Sequence, residues 1–214
     1  MKILAPRFLL PVLLLGAGAL SYMASIHPFF AWDQPVAGWI ADLTLPGFGG
    51  LMTAVSWSGN YTVVGVSYLM LLPLAVRWGG WNAGLLVLAM SALELSNFGI
   101  KALVGRPRPM PLHPGEAGSF PSGHTVHAVL LLGLLWLLFS PRMQGQRQRQ
   151  ALAGLLVTLA VLIGASRVYL ERHWPSDVLG GYLIGGLALW GLWWAWRSSR
   201  FAIPRPERGD VEGE

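Results

Sequence analysis

The sequence predicts an all-α protein, a bundle of six transmembrane helices. Three observations carry that expectation. Hydrophobic residues make up 54% of the 214 and charged residues 12%, about half the charge of a typical soluble domain. The apolar residues gather into six stretches near the ~20 residues a helix needs to cross a bilayer. Ten of the 15 basic residues fall in the termini and alternate connections between those stretches, as the positive-inside trend requires.

The six stretches are 8–26, 60–77, 82–103, 124–140, 150–170 and 177–197. The first follows Lys2 and Arg7, as a signal peptide's apolar run would; the favoured reading is a retained first helix, because an even helix count returns both basic termini to one side. Residues 27–59 mix Trp, Gly and Pro with Asp33 and Asp42, and suit either an amphipathic segment in the interface or a loop with a short helix. The fourth opens on a polar loop, and the fifth and sixth are rich in Leu, Val and Gly. Residues 1–200 read as one membrane domain. Residues 201–214 read as a polar cytoplasmic tail, expected to be disordered.

Cysteine is absent, which excludes disulfides, thiol chemistry and thiolate zinc sites. The net charge of +5 does not point to nucleic acid, because its distribution follows the membrane. Lys2, Arg7, Arg77, Arg142, Arg147, Arg149, Arg197, Arg200, Arg205 and Arg208 all fall on one face if there are six crossings. That face should be cytoplasmic, with Trp78, Trp81, Trp193, Trp194 and Trp196 in its aromatic belt. The other five basic residues, Lys101, Arg106, Arg108, Arg167 and Arg172, fall on the opposite face with Glu116, Glu171, Asp177, His113, His124 and His173. Such a cluster against the charge trend marks a candidate site at the outer membrane-water interface.

Three stretches build it: "KALVGRPRP" at the end of the third helix, "PSGH" at the start of the fourth, and "SRVYLERHWPSD" between the fifth and sixth. Each alone has an ordinary structural use. Basic residues anchor helix ends in the headgroups, Ser122 is a good cap for free amides, and Pro175 with Asp177 suits a helix start. Together they assemble an anion pocket. Arg108 and Arg167 offer planar forks to a tetrahedral oxyanion and Lys101 adds a point charge. The Ser122-Gly123 turn opens a helix whose free N–H groups favour an anion, and Gly123 permits close backbone approach. His173 and His124 can act as acid, base or nucleophile near neutral pH. Asp177 lies at i+4 from His173, where it would hold one ring nitrogen protonated and aim the other at phosphorus. His124 would protonate the leaving oxygen.

Other polar residues carry weaker expectations. His127, one turn after His124, reads as packing or support. Arg106 and Arg172 suit either a second phosphate or lipid headgroups. Glu94 and Asn97 share a helical face with Lys101 and would support it or the pocket floor. His113 and Glu116 read as loop residues, and His27 as the end of the first helix.

The pattern Lys101-x6-Arg108-Pro109, then Pro121-Ser122-Gly123-His124, then Ser166-Arg167-x5-His173-x3-Asp177 resembles the type-2 phosphatidic acid phosphatase family at every signature position. The motifs span about residues 97–180. The resemblance implies a membrane phosphatase that needs no metal or other cofactor. His173 would form a phosphohistidine, with Asp177 orienting it. His124 would protonate the leaving group and then activate water. Lys101, Arg108, Arg167, Ser122 and Gly123 would bind the phosphate. The implied partners are the bilayer and a lipid phosphate: undecaprenyl pyrophosphate, phosphatidylglycerophosphate, phosphatidic acid or lipid A phosphate. The implied location is a bacterial inner membrane with the site facing the periplasm or exterior. Competing expectations are a phosphotransferase with the same site, an anionic-lipid transporter with no nucleophile, and, less suited to a membrane chain, a vanadate haloperoxidase.

Overall fold

The computed structural model describes residues 6–111, 113 and 115–198, which form seven α-helices: α1 (Pro6–Ile26), α2 (Asp33–Ala41), α3 (Phe48–Ser58), α4 (Tyr61–Val104), α5 (Gly123–Phe139), α6 (Gln146–Tyr169) and α7 (Pro175–Ser198). The basic residues expected in the N-terminal and C-terminal flanks, and the 201–214 tail, lie outside the described side chains. Among the described residues, four helices are long and apolar enough to cross a membrane: Tyr61–Val104, Gly123–Arg142, Gln146–Tyr169 and Pro175–Trp196.

The helix count differs from the expected six in two places. The two stretches at 60–77 and 82–103 form one element of 44 residues. At 1.5 Å per residue that is about 66 Å, twice the ~30 Å hydrocarbon core. The element breaks in its middle, where Gly79 leaves helical geometry and Gly80 takes φ 65°, ψ −169°, a conformation open essentially to glycine alone. The second difference is in residues 27–59, which hold two short helices, α2 and α3, where the sequence left a surface segment or a loop with one helix. His27 directly follows α1, as expected.

α5 is the central helix, touching α4, α6 and α7. A helix with apolar residues on every side belongs inside a bundle. Val126, Leu130, Leu134 and Leu138 recur at every fourth position and form one buried stripe. Against it pack Val64, Tyr68, Leu71 and Ala75 from the first half of α4, and Ala83, Leu86, Val87 and Met90 from the second. In a bilayer the tails outside are as apolar as the core, so close packing rather than water exclusion holds helices together. Gly181 shows the closeness: a Cβ there would lie 2.8 Å from Thr125 Cβ and 3.0 Å from the Ser122 carbonyl oxygen. The start of α7 is thereby pressed against the start of α5.

Polar caps fix the helix ends. Asn60 accepts from the Thr62 amide at 2.9 Å and opens α4. At the far end of α5, Arg142 donates to the Leu138 carbonyl, donates to the Trp78 carbonyl at 3.1 Å, and stacks 4.4 Å over the Trp78 ring. The α4 break and the end of α5 therefore sit together at one end of the bundle. The C-terminal ends of α4 and α6 and the N-terminal ends of α5 and α7 meet at the other, beneath α2 and α3.

Candidate active site

The three separate stretches converge at that second end. α4 closes with Lys101 in its last turn, and the loop behind it carries Arg106 and Arg108. α6 closes with Arg167 in its last turn. The tight 170–174 connection carries Arg172 and His173, and α7 opens with Asp177 in its first turn. α5 opens at Gly123 and His124.

His173 is 2% exposed. Arg108 Nη1 lies 3.1 Å from its Nε2. A guanidinium only donates, so Nε2 is the accepting nitrogen and carries a lone pair. The ring proton then belongs on Nδ1, which lies 3.5 Å from Asp177 Oδ2. Burial, and after it the charges of Lys101, Arg167 and Arg108, hold His173 well below the usual imidazole range. The ring is neutral near pH 7.

Asp177 is fully buried. Its Oδ2 also accepts the Trp174 amide at 2.9 Å, as an acidic residue in a helix's first turn does when it reaches back to the capping residue. Its Oδ1 accepts from Arg106 Nη1 at 2.6 Å. Its backbone carbonyl accepts the Ser122 amide at 3.0 Å, joining the α7 start to the α5 start.

The expected phosphate ligands surround the histidine, each with a resting partner. Lys101 Nζ donates to the carbonyls of Gly118 at 2.8 Å and Ser119 at 3.2 Å. Arg108 Nε donates to the Ala117 carbonyl at 3.0 Å, and Glu116 lies 3.1 Å away. Arg167 Nη1 donates to Ser56 Oγ, while its buried Nε has no partner. Lys101, Arg167, His173 and His127 all lie close enough to act on the charge of His124.

One local expectation is corrected. Ser122 makes no side-chain cap; its Oγ instead accepts from the Thr125 hydroxyl at 3.0 Å. Gly123 is also crowded from below the turn: a Cβ there would lie 2.9 Å from both Asn97 Nδ2 and Tyr61 OH. Asn97 is thus part of the pocket floor, as one reading held. Glu94 does not support Lys101. It pairs with His127 Nδ1 and accepts the Tyr68 hydroxyl at 2.9 Å, which accounts for His127 as a buried supporting residue.

Arg106 and Arg172 part company. Arg172 donates to both oxygens of Glu116, at 2.9 and 3.1 Å, at the rim of the site. Arg106 is 1% exposed and bridges Asp177 and Asp33, so it meets neither a headgroup nor a second phosphate. From the sequence alone, Asp33 had no role at the site and Ser176 was not named. The available signal was a pair of carboxylates, Asp33 and Asp42, in a largely apolar stretch and one surplus arginine in the outer cluster.

The sequence profile of the PAP2 superfamily matches residues 82–201. Phosphatidylglycerophosphatase B of Bacillus subtilis is 30% identical over 141 residues, covering 59% of this chain and 70% of that protein. A lipid A 1-phosphatase of Rhizobium etli is 28% identical over 192 residues, 80% of this chain and 77% of that one. The crystal structure of a transmembrane PAP2-type phosphatidylglycerolphosphate phosphatase from Bacillus subtilis superposes with a TM-score of 0.67 at 27% identity, over 90% of this chain and 98% of that chain. With the spanning helices, the matched profile and a relative aligned over most of its length, the chain belongs to the PAP2 superfamily, as an integral membrane enzyme of its lipid phosphatase class.

Proposed function

We propose that the protein removes phosphate from a lipid phosphate or pyrophosphate without a metal ion, through a phosphohistidine on His173. The observation that carries this reading is the pair of contacts at the His173 ring, from which its tautomer is inferred. An arginine donor at Nε2 and a carboxylate facing Nδ1 leave the outward nitrogen with a lone pair, as a nucleophile requires.

The substrate phosphate would take over the donors of Lys101, Arg108 and Arg167 and the free amides at the start of α5, drawing Arg108 off Nε2. The Nε2 lone pair then forms a bond to phosphorus, and the phosphorus–oxygen bond to the lipid breaks. His124 gives its proton to the departing oxygen. The ring, phosphorylated on Nε2 and protonated on Nδ1, carries a positive charge that faces Asp177. His124, now neutral, removes a proton from water, and the hydroxide attacks phosphorus to release phosphate and free Nε2. Once the phosphate has displaced their resting partners, these cations stand ready for the charge that develops on phosphorus.

The lipid character of the substrate finds support in a cavity of about 340 Å³ between the two halves of α4, lined by Val64, Leu69, Leu72, Val87, Leu95 and Phe98. Leu69 and Leu95 are exposed at the bundle surface, and Tyr61 and His127 belong both to this cavity and to the floor of the Gly123 turn. A chain attached to a phosphate in the site has an apolar path at hand.

Six crossings follow if α1 and each half of α4 span separately. Both termini then share the side that holds Arg142, Arg147 and Arg149, which is cytoplasmic by the positive-inside trend. The site faces the periplasm of a bacterial inner membrane, within one domain of residues 1–200. Phosphatidylglycerophosphate and an isoprenoid pyrophosphate are the favoured substrates.

The test is phosphate release by detergent-purified protein in EDTA. The panel is undecaprenyl pyrophosphate, phosphatidylglycerophosphate, phosphatidic acid and lipid A, with His173→Ala beside the wild type. Wild-type release that falls about 10³-fold or more in His173→Ala is the expected result. Turnover retained by His173→Ala overturns the nucleophile; no release from any lipid overturns hydrolysis and leaves transfer or transport.

A further inference from the structure

Asp33 opens α2, far in sequence from the motifs and outside the matched 82–201 region. It is 0% exposed and uses both oxygens. Oδ1 accepts the Ser176 amide at 2.9 Å. Oδ2 accepts the Ser176 hydroxyl at 2.7 Å, the Phe30 amide at 2.8 Å and Arg106 Nη2 at 3.0 Å. The other arm of Arg106, Nη1, donates to Asp177 Oδ1 at 2.6 Å and to Ser176 Oγ at 2.7 Å. Its Nε donates to the His27 carbonyl at 3.3 Å, and its guanidinium lies 4.6 Å over the Phe30 ring. One arginine is therefore clamped between two carboxylates, with no water-facing side.

We propose that Asp33 is a positioning residue for the reaction, acting through Arg106 on Asp177. This rests on the assignment of His173 as nucleophile and Asp177 as its orienting group. Two physical consequences follow from the geometry. First, the clamp fixes the Asp177 carboxylate. With Oδ1 held by Arg106, Oδ2 is left to face His173 Nδ1. Second, the clamp sets the local charge. Arg106 alone would neutralise Asp177, and the imidazole would then become cationic with Lys101, Arg108 and Arg167 nearby and no opposing charge from beneath. Asp33 offsets Arg106, so the three-residue cluster keeps one negative charge under the ring. Buried charges this close interact far more strongly than in water, and a buried arginine deprived of one partner remains a costly charge.

Asp33 touches no group of the phosphate pocket, so its loss should act on turnover and not on binding. Groups that hold a reacting group in place are typically worth about 10–100-fold, so Asp33→Asn in the full-length purified enzyme should lower kcat by about that factor. On the same four-lipid panel, KM should stay within about twofold. Asp177→Asn should lose more. The double variant should be no worse than Asp177→Asn alone, because Asp33 acts only through Asp177. A general weakening of the fold would instead add in both backgrounds. Ser176→Ala, which trims one hydroxyl from the clamp, should lower kcat several-fold in the same pattern and carries the test if Asp33→Asn does not give a monodisperse protein. Wild-type kcat in Asp33→Asn, or in Ser176→Ala where that variant carries the test, or additive losses in the double variant, overturns the positioning role. Wild-type kcat in Asp177→Asn would instead overturn the assignment on which the inference rests.

Discussion

Gly123→Ala is the sharpest probe of the site's floor. The added Cβ would meet Asn97 Nδ2 and Tyr61 OH at 2.9 Å each and His127 Nε2 at 3.7 Å. Carbon contacts this short must open by about 0.5 Å or more to reach ordinary separation. Tyr61 is exposed and can turn aside, but Asn97 is 1% exposed, on α4, and hemmed in by the core. The easier movement is of the α5 start itself, away from α4 and toward the space in which phosphate would bind. Overpacking of this kind costs about 1–3 kcal/mol. For a chain of this length that lowers Tm by roughly 2–4 °C per kcal/mol. Turnover should fall with it, because an error of a few tenths of an ångström reaches the amides and His124 together. The assay is a thermal melt in detergent beside phosphate release, with Gly123→Ala/Asn97→Ala as the relief variant. Recovery of both readouts in the double variant is expected. A Gly123→Ala protein with wild-type Tm and kcat, or a double variant no better than the single, refutes the described floor.

Two further outcomes follow from the same structure. His173 must be unprotonated to attack, and its proton dissociates below the usual imidazole value, so the acid limb of kcat/KM should lie below about pH 6.5; the unfolded chain binds that proton more readily than the folded one, so the group costs stability as pH falls through about 6.5 and costs none above it. A pH–rate profile with its acid limb above that value would contradict the placement of the ring. Gly80→Ala should destabilise by about 1–3 kcal/mol through backbone strain alone, since a Cβ there meets nothing within 4 Å; an unchanged melt would show that α4 does not break as described.

The candidate-site residues were legible because each is tied to a local pattern. Lys101, Arg108, Ser122, Gly123, His124, Arg167, His173 and Asp177 sit at helix ends that hydropathy alone can place. The α5 helix was readable as an apolar run, but which of its residues form the buried stripe was decided by packing. The two halves of α4 were legible as the separate stretches 60–77 and 82–103, yet only the backbone shows that they form one element broken at Gly79 and Gly80.

What the sequence by itself determined is therefore the class of molecule, the end of the bundle where the charges gather, and the residues that meet there. Periodicity and helix-end chemistry are local, and a one-dimensional string records them in full. Only the tertiary structure decided the partners. Glu94 could face Lys101 or the floor by helical spacing, and packing gave it to His127, 33 residues away. Arg106 could meet lipid or phosphate, and the fold buried it between Asp33 and Asp177, 73 and 71 residues distant. A buried charge must find its counter-ion wherever the chain brings one, and that choice depends on how α2 docks against the start of α7, which no local pattern encodes.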